Sequence, residues 1–284
     1  MAEILLNIIG ISALIAVPSN SILLGLNSGK LNFREIFSKK KILIKYILTM
    51  FVITPLLVVI LFLTIGPYNG VWTAMFIIAV TPAAPSIVKY IDKLGCDKNI
   101  SLAWLVITIF LSLIFVPLNL LIVENIVNMD IDLSVFPVFI KLMTLFIIPI
   151  LAGFLFSKYF KDKVPIITKF LEPVSKLAMI ALVLSLLIIA VPLMIKAGIF
   201  QILLILIFIL IALTIAHIMG SPDQAYGPIL PYSVILRLPA PAIVISQVNH
   251  TVQKHMVVII SFTIIGIIVI SIYNKIFFGK KSSK

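Results

Sequence analysis

The sequence is poor in the residues from which soluble catalytic and metal sites are built: 284 residues include one cysteine, three histidines and ten carboxylates. With Cys96 alone, neither an intramolecular disulfide nor a thiolate cluster for metal can form. His217, His250 and His255 fall near the ends of different apolar runs, so a shared metal site is not expected and they read as solvated loop histidines. The glycines form no phosphate-cradling pattern and no Walker sequence is present, which excludes an ATP-driven pump built from this chain alone. The carboxylates are unpaired, and no His or Asp sits inside an apolar run to activate a nucleophile. No enzyme activity, cofactor or metal is therefore expected. Met1-Ala2-Glu3 lacks the positive n-region of a signal peptide, so the first apolar run reads as a membrane span.

What the chain has is apolar surface. Hydrophobic residues make up 62% of it and charged ones 11%, with a mean hydropathy of +1.27. That describes an all-α polytopic membrane protein with the lipid bilayer as its solvent. Apolar runs of about 18 to 25 residues predict nine transmembrane helices, roughly 3–26, 43–65, 69–90, 99–123, 135–157, 173–193, 197–217, 227–248 and 255–275. The net charge of +12 is topological and does not point to nucleic acid, because the basic residues sit between apolar runs and lack a reading module. Lys30, Arg34, Lys39, Lys40, Lys41 and Lys45 follow span 1; Lys89, Lys93 and Lys98 follow span 3. Lys158, Lys161, Lys163, Lys169 and Lys176 follow span 5, and Lys275, Lys280, Lys281 and Lys284 follow span 9. Thus 18 of the 22 basic residues fall on alternate loops, while Lys196 and Lys254, with Glu3, Glu124, Asp130 and Asp132, fall on the other side. The positive-inside rule places the amino terminus outside and the carboxyl terminus in the cytoplasm, in the plasma membrane.

Two spans are interrupted by proline pairs, Thr81-Pro82-Ala83-Ala84-Pro85-Ser86 in span 3 and Arg237-Leu238-Pro239-Ala240-Pro241-Ala242 in span 8. Proline removes a backbone donor and clashes with the carbonyl four residues back, so each pair predicts a broken helix with freed carbonyls and amides. Spans five apart run in opposite directions when the span count is odd, which makes spans 3 and 8 antiparallel. That is the arrangement of an inverted repeat with two crossed broken helices. The chain then forms one transmembrane domain, 1–284, with a first repeat of four spans in 1–125 and a second of five spans in 135–277. The connection Ser157 to Lys176, carrying Pro165 and Pro173, suits a hinge.

Arg237 carries the most information of any single residue. An arginine at the middle of a span costs at least about 2.5–3.5 kcal/mol on insertion scales, and no acidic residue lies deep in any span to offset it. It can donate to carbonyls freed by Pro82, Pro85, Pro239 and Pro241, or its planar fork can bind an anionic substrate. Thr81, Ser86, Ser101, Thr108 and Ser233 could line a polar cavity with it, or bond back to their own helices. Asn20, in the polar interruption Pro18-Ser19-Asn20-Ser21 of span 1, is a further candidate substrate contact.

Several segments together resemble the bile acid:sodium symporter superfamily. They are Leu24-Gly25-Leu26, Phe33-Arg34 and a basic run leading to Thr54-Pro55-Leu56, then Pro82-Ala83-Ala84 with Ser86, Tyr90, Asp97 and Ser101, and Arg237-Leu238-Pro239-Ala240. The resemblance implies a secondary transporter working by alternating access, with a core domain around the crossing, a second panel of helices and an organic anion as substrate. Where sodium-coupled members use an asparagine, a serine–threonine pair and a glutamate, this chain offers Ile87, Ser101 with Leu105, and Ser233. Ser86 and Ser101 are thus the residual ion-site candidates; the replacements remove most of the oxygen ligands that sodium uses, a proton, the other candidate ion, lacks a buried carboxylate too, and facilitated movement or exchange of anions against Arg237 stands level with symport. The substrate set is Arg237, Asn20, Thr81 and Ser233. Rival readings are a sodium-coupled organic anion symporter, a carrier resembling auxin-efflux or arsenite carriers, and a membrane scaffold or receptor that transports nothing.

Overall fold

The computed structural model describes residues 2–28, 31, 33–68, 70–127, 135–223, 226–248 and 251–278. Lys30, Asp130, Asp132, His250, Lys280, Lys281 and Lys284 lie outside the described residues. In chain order the helices are α1 (Ala2–Ser28), α2 (Phe33–Ser38), α3 (Lys40–Leu48), α4 (Thr54–Ile65), α5 (Val71–Val80), α6 (Ile87–Asp92) and α7 (Lys98–Val127). Then come α8 (Val135–Leu142), α9 (Ile148–Tyr159), α10 (Val164–Ala197), α11 (Ile199–Met219), α12 (Ile229–Ile235), α13 (Pro239–Val248) and α14 (Val252–Phe277). There is no β-strand among the described residues, only one isolated bridge.

Among the described residues, six helical stretches are long and apolar enough to cross a membrane: Ile8–Ser28, Lys40–Ile65, Asn99–Glu124, Val135–Tyr159, Ile199–Met219 and His255–Phe277. Six of the expected nine spans thus have a continuous candidate among the described residues. Two of the remaining three are broken, span 3 into α5 and α6 of 10 and 6 residues, span 8 into α12 and α13 of 7 and 10. The third falls in α10, part of whose later half lies outside the described side chains.

The chain divides into two compact units that do not follow chain order. The first comprises Met1–Leu31 and Phe136–Ala197, and so holds α1 and α8 to α10. Here α1 packs on α9 and α10. Gly25 and Gly153 make the α1–α9 contact possible: a Cβ on Gly25 would strike the Ile150 carbonyl, and one on Gly153 the Ile22 carbonyl. Small residues that let backbones touch are the usual means of joining helices in lipid, where no hydrophobic drive exists. On α10, Ile166, Phe170, Leu177, Ile180, Leu184 and Ile188 are exposed at helical spacing while Ser175, Leu182 and Ser185 are buried. An apolar exposed stripe over a partly polar buried one is what a lipid-facing helix shows.

The second unit, Asn32–Val135 with Gly198–Lys284, holds both broken helices. Every residue of α5 and of α12 is buried. Asp97 starts α7 as an N-cap: its Oδ1 accepts from the backbone N–H of Asn99 (2.6 Å) and Ile100 (3.2 Å). Residues Thr49–Ile53, between α3 and α4, form a π-helical turn, and Met143–Ile147 form another between α8 and α9 in the first unit. Both precede a proline at the start of the next helix, Pro55 and Pro149.

Candidate functional site

The breaks in spans 3 and 8 meet each other. α5 ends at Thr81, whose backbone is extended (φ −72, ψ 155), and α12 ends at Leu236. Ala83 and Arg237 form an antiparallel bridge, with the Ala84 N–H donating to the Leu236 carbonyl (2.8 Å) and the Leu238 N–H to the Pro82 carbonyl (2.9 Å). Two short extended segments thus satisfy one another's main chain, which a bilayer interior demands of any non-helical backbone.

Arg237 lies at this bridge, only 2% exposed. Its Nε donates to the Val234 carbonyl (3.1 Å), one terminal nitrogen to the Thr81 carbonyl (2.7 Å) and the other to the Met50 carbonyl (3.1 Å). Each acceptor has lost its helical donor for a readable reason. Four residues after Thr81 comes Pro85; four after Val234 comes Leu238, whose N–H goes across to Pro82; five after Met50, the π-helical spacing, comes Pro55. The carbonyl of Phe51, four before Pro55, is met by Asn119 Nδ2 from α7 at 3.0 Å. All three acceptors of Arg237 are neutral, yet two are at the C-terminal, partially negative ends of α5 and α12. Three charge-assisted bonds at about 1.5–3 kcal/mol each are enough to offset the insertion cost of the side chain.

The other sequence candidates separate. Thr81 joins Arg237 through its carbonyl, while its Oγ1 donates back to the Ile78 carbonyl (2.8 Å). Ser233, buried on α12, donates to the Ile229 carbonyl (2.6 Å) and accepts from Trp104 Nε1 (2.9 Å). Ser101 and Thr108 on α7 bond back to the carbonyls of Asp97 and Leu105. Ser86 is exposed at the start of α6. Asn20 belongs to the other compact unit, and its Nδ2 donates to the Ala16 carbonyl of its own helix (2.9 Å). Pro82 and Pro241 are buried, Pro85 exposed and Pro239 intermediate.

Sequence reasoning missed Met50, Asn119, Trp104 and Tyr232. Pro55 was the available signal for the first two, since it strips donors from Met50 and Phe51; nothing in the sequence pairs Trp104 with Ser233. The Tyr232 hydroxyl is buried and has no hydrogen-bond partner among the described residues. The histidines need one correction. His255 is 4% exposed, its Nδ1 within 3.0 Å of Thr251 Oγ1 and 3.1 Å of Ser246 Oγ, so it is a packed side chain; His217 is exposed. A further polar cluster joins α2 and α3 to the turn before α12: Tyr46 donates to the Tyr226 carbonyl (2.6 Å), and the Tyr226 hydroxyl to Glu35 (3.3 Å). Cys96 is buried beside it, and burial pushes its thiol up to about 11. No group of three or more His, Cys, Asp or Glu that could hold a metal occurs among the described residues.

The model of the Sodium Bile acid symporter family matches residues 15–203. The chain belongs to this family. No curated protein matches it. The family is one of membrane transporters, and this member is an integral multi-pass protein with the six apolar helices given above. The matched range contains the first break but stops before the second, so the segment carrying Arg237 is where this symporter-family chain has no counterpart in the match. A sodium ion fits poorly at the positions that the family resemblance points to. Ile87 and Leu105 are buried aliphatic side chains, and the Ser233 hydroxyl is already both donor and acceptor.

Proposed function

We propose that this protein is a secondary transporter that moves a small or amphipathic organic anion by alternating access and needs no sodium. The observation that carries the reading is the antiparallel main-chain pairing of two broken, fully buried half-helices around an arginine. Discontinuous helices that cross in this way are where secondary transporters hold their solutes. The inverted repeat is supported by the composition of the compact units. Expected spans 1 and 6 share the first, while 2 to 4 and 7 to 9 share the second, as pairing by five requires. The two units supply the two bodies that alternating access moves, and the repeats are 1–125 and 135–277.

Arg237 gives the crossing a positive charge faced by carbonyls alone, and this favours anions over cations as cargo. Thr81 and Ser233 flank it. The amino terminus is outside and the carboxyl terminus cytoplasmic, a reading supported by the distribution of Lys and Arg, and the plasma membrane is the proposed location. A sodium-coupled symporter is the second reading, favoured by the family match.

Flux of radiolabelled organic anions into proteoliposomes separates the two. Uptake that is equal with sodium and with choline outside is the expected result. Uptake confined to sodium establishes the second reading, and no uptake of any anion removes both.

A further inference from the structure

Three main-chain carbonyls converge on one cationic side chain at the crossing, and each comes from a different interruption of helical bonding. The Met50 carbonyl belongs to the π turn before Pro55, that of Thr81 to the end of α5, and that of Val234 to the last turn of α12. Their distances to the guanidinium nitrogens are 3.1, 2.7 and 3.1 Å. Carbonyls stripped of their helical donors, at the negative ends of half-helices, are what coordinates a monovalent cation inside a membrane protein. Here that arrangement is filled by the protein's own charge. Side-chain carboxylate and amide oxygens are missing where the family resemblance would place them, since Ile87 and Ser233 stand there.

We propose that Arg237 is a tethered cation, its guanidinium taking the place that a monovalent ion would hold among the carbonyls of Met50, Thr81 and Val234. The crossing then assembles without an ion from solution. An ion from the medium binds and leaves, and its gradient can drive a cycle. A tethered one is present in every state, so it supplies the electrostatics of the crossing and no driving force. This deepens the sodium-independent reading above and rests on it for flux, but its stability consequences stand without it.

The test is thermal melting of the purified full-length protein in detergent, followed by the fluorescence of Trp72 and Trp104, in NaCl, KCl and choline chloride at equal ionic strength. Wild type is expected to melt at the same temperature in all three. R237A removes the charge and the fork; in choline it should melt about 5 °C or more below wild type, from the loss of three charge-assisted bonds. At least half of that loss should return in Na+ or K+. R237K, which keeps a charge and three donors, should stay indifferent to the cation. Where R237A gives no folded protein, R237Q carries the same comparison.

Wild type that melts higher in sodium than in choline overturns the proposal, and so does a neutral variant whose melting ignores the cation. A purely structural arginine predicts the second result. Proteoliposome flux of the same variants keeps the two ideas apart. Cation-dependent melting of R237A with no anion flux in wild type would retain the tethered cation and remove the transport reading.

Discussion

Thr49–Ile53 and Met143–Ile147 are the same backbone device, a π turn set just ahead of a proline, in the two different compact units. In the first unit the carbonyl four before Pro149, that of Leu145, is met by Ser21 Oγ from α1 at 3.3 Å, a hydroxyl that also donates to its own Val17 carbonyl at 2.9 Å. In the second, the carbonyls of Met50 and Phe51 are met by the guanidinium of Arg237 and the amide of Asn119. One defect is closed by a shared, long, neutral bond and the other by a charge and a carboxamide. Pairing with a neutral hydroxyl costs little and ties two adjacent helices. Pairing with a buried charge links the π turn to a break far along the chain, and makes that turn part of the candidate site.

If the first unit is held by close backbone approach more than by its hydroxyl bond, Gly25→Val is the most damaging change there. Its branched side chain meets the Ile150 carbonyl directly, and a loss of at least about 3 kcal/mol, read as a collapse of folded yield or of the melting temperature, is expected. Near-normal melting would mean that α1 and α9 are not locked as described. Asn119→Leu in the second unit is next. It leaves the Phe51 carbonyl without its inter-helix donor at a cost of about 1–3 kcal/mol. Measured alongside R237A, it should be more than additive with it, because both close the same turn. Ser21→Ala should be the mildest, under about 1 kcal/mol, since its inter-helix bond is long and shared. A Ser21→Ala loss matching that of Asn119→Leu would erase the contrast between the two turns.

Proline made much of this legible in advance. The interruptions at Pro82/Pro85 and Pro239/Pro241 are dictated by a missing N–H, and both breaks occur where those residues stand. The continuous apolar runs also translate directly into helices, because in lipid a helix is the only way to satisfy an isolated backbone. Nine spans did not become nine continuous helices, since the same prolines leave pieces of 6 to 10 residues. The wider turns at Pro55 and Pro149 went unread: a proline near a helix start is compatible with an ordinary α-helix, and only tertiary partners reveal that the preceding turn has widened. The acceptors of Arg237 were half legible. Carbonyls freed by prolines were foreseen, and Thr81 is one, but Met50 lies 187 residues from Arg237 and no local pattern couples them. His255 misled for a related reason, as a polar residue at a helix end is buried only when neighbours such as Ser246 supply partners.

The bond from Arg237 to Thr81 spans 156 residues of chain. During synthesis the first broken helix reaches the membrane with its Thr81 carbonyl unmet, and its donor emerges only after the ribosome has added those 156 residues, about 8–30 s later. For that interval the main chain of the break between α5 and α6 lacks the partners it has in the finished fold, although α5 itself is almost wholly apolar. An incomplete first half therefore carries an unpaired break until the second half supplies its donors.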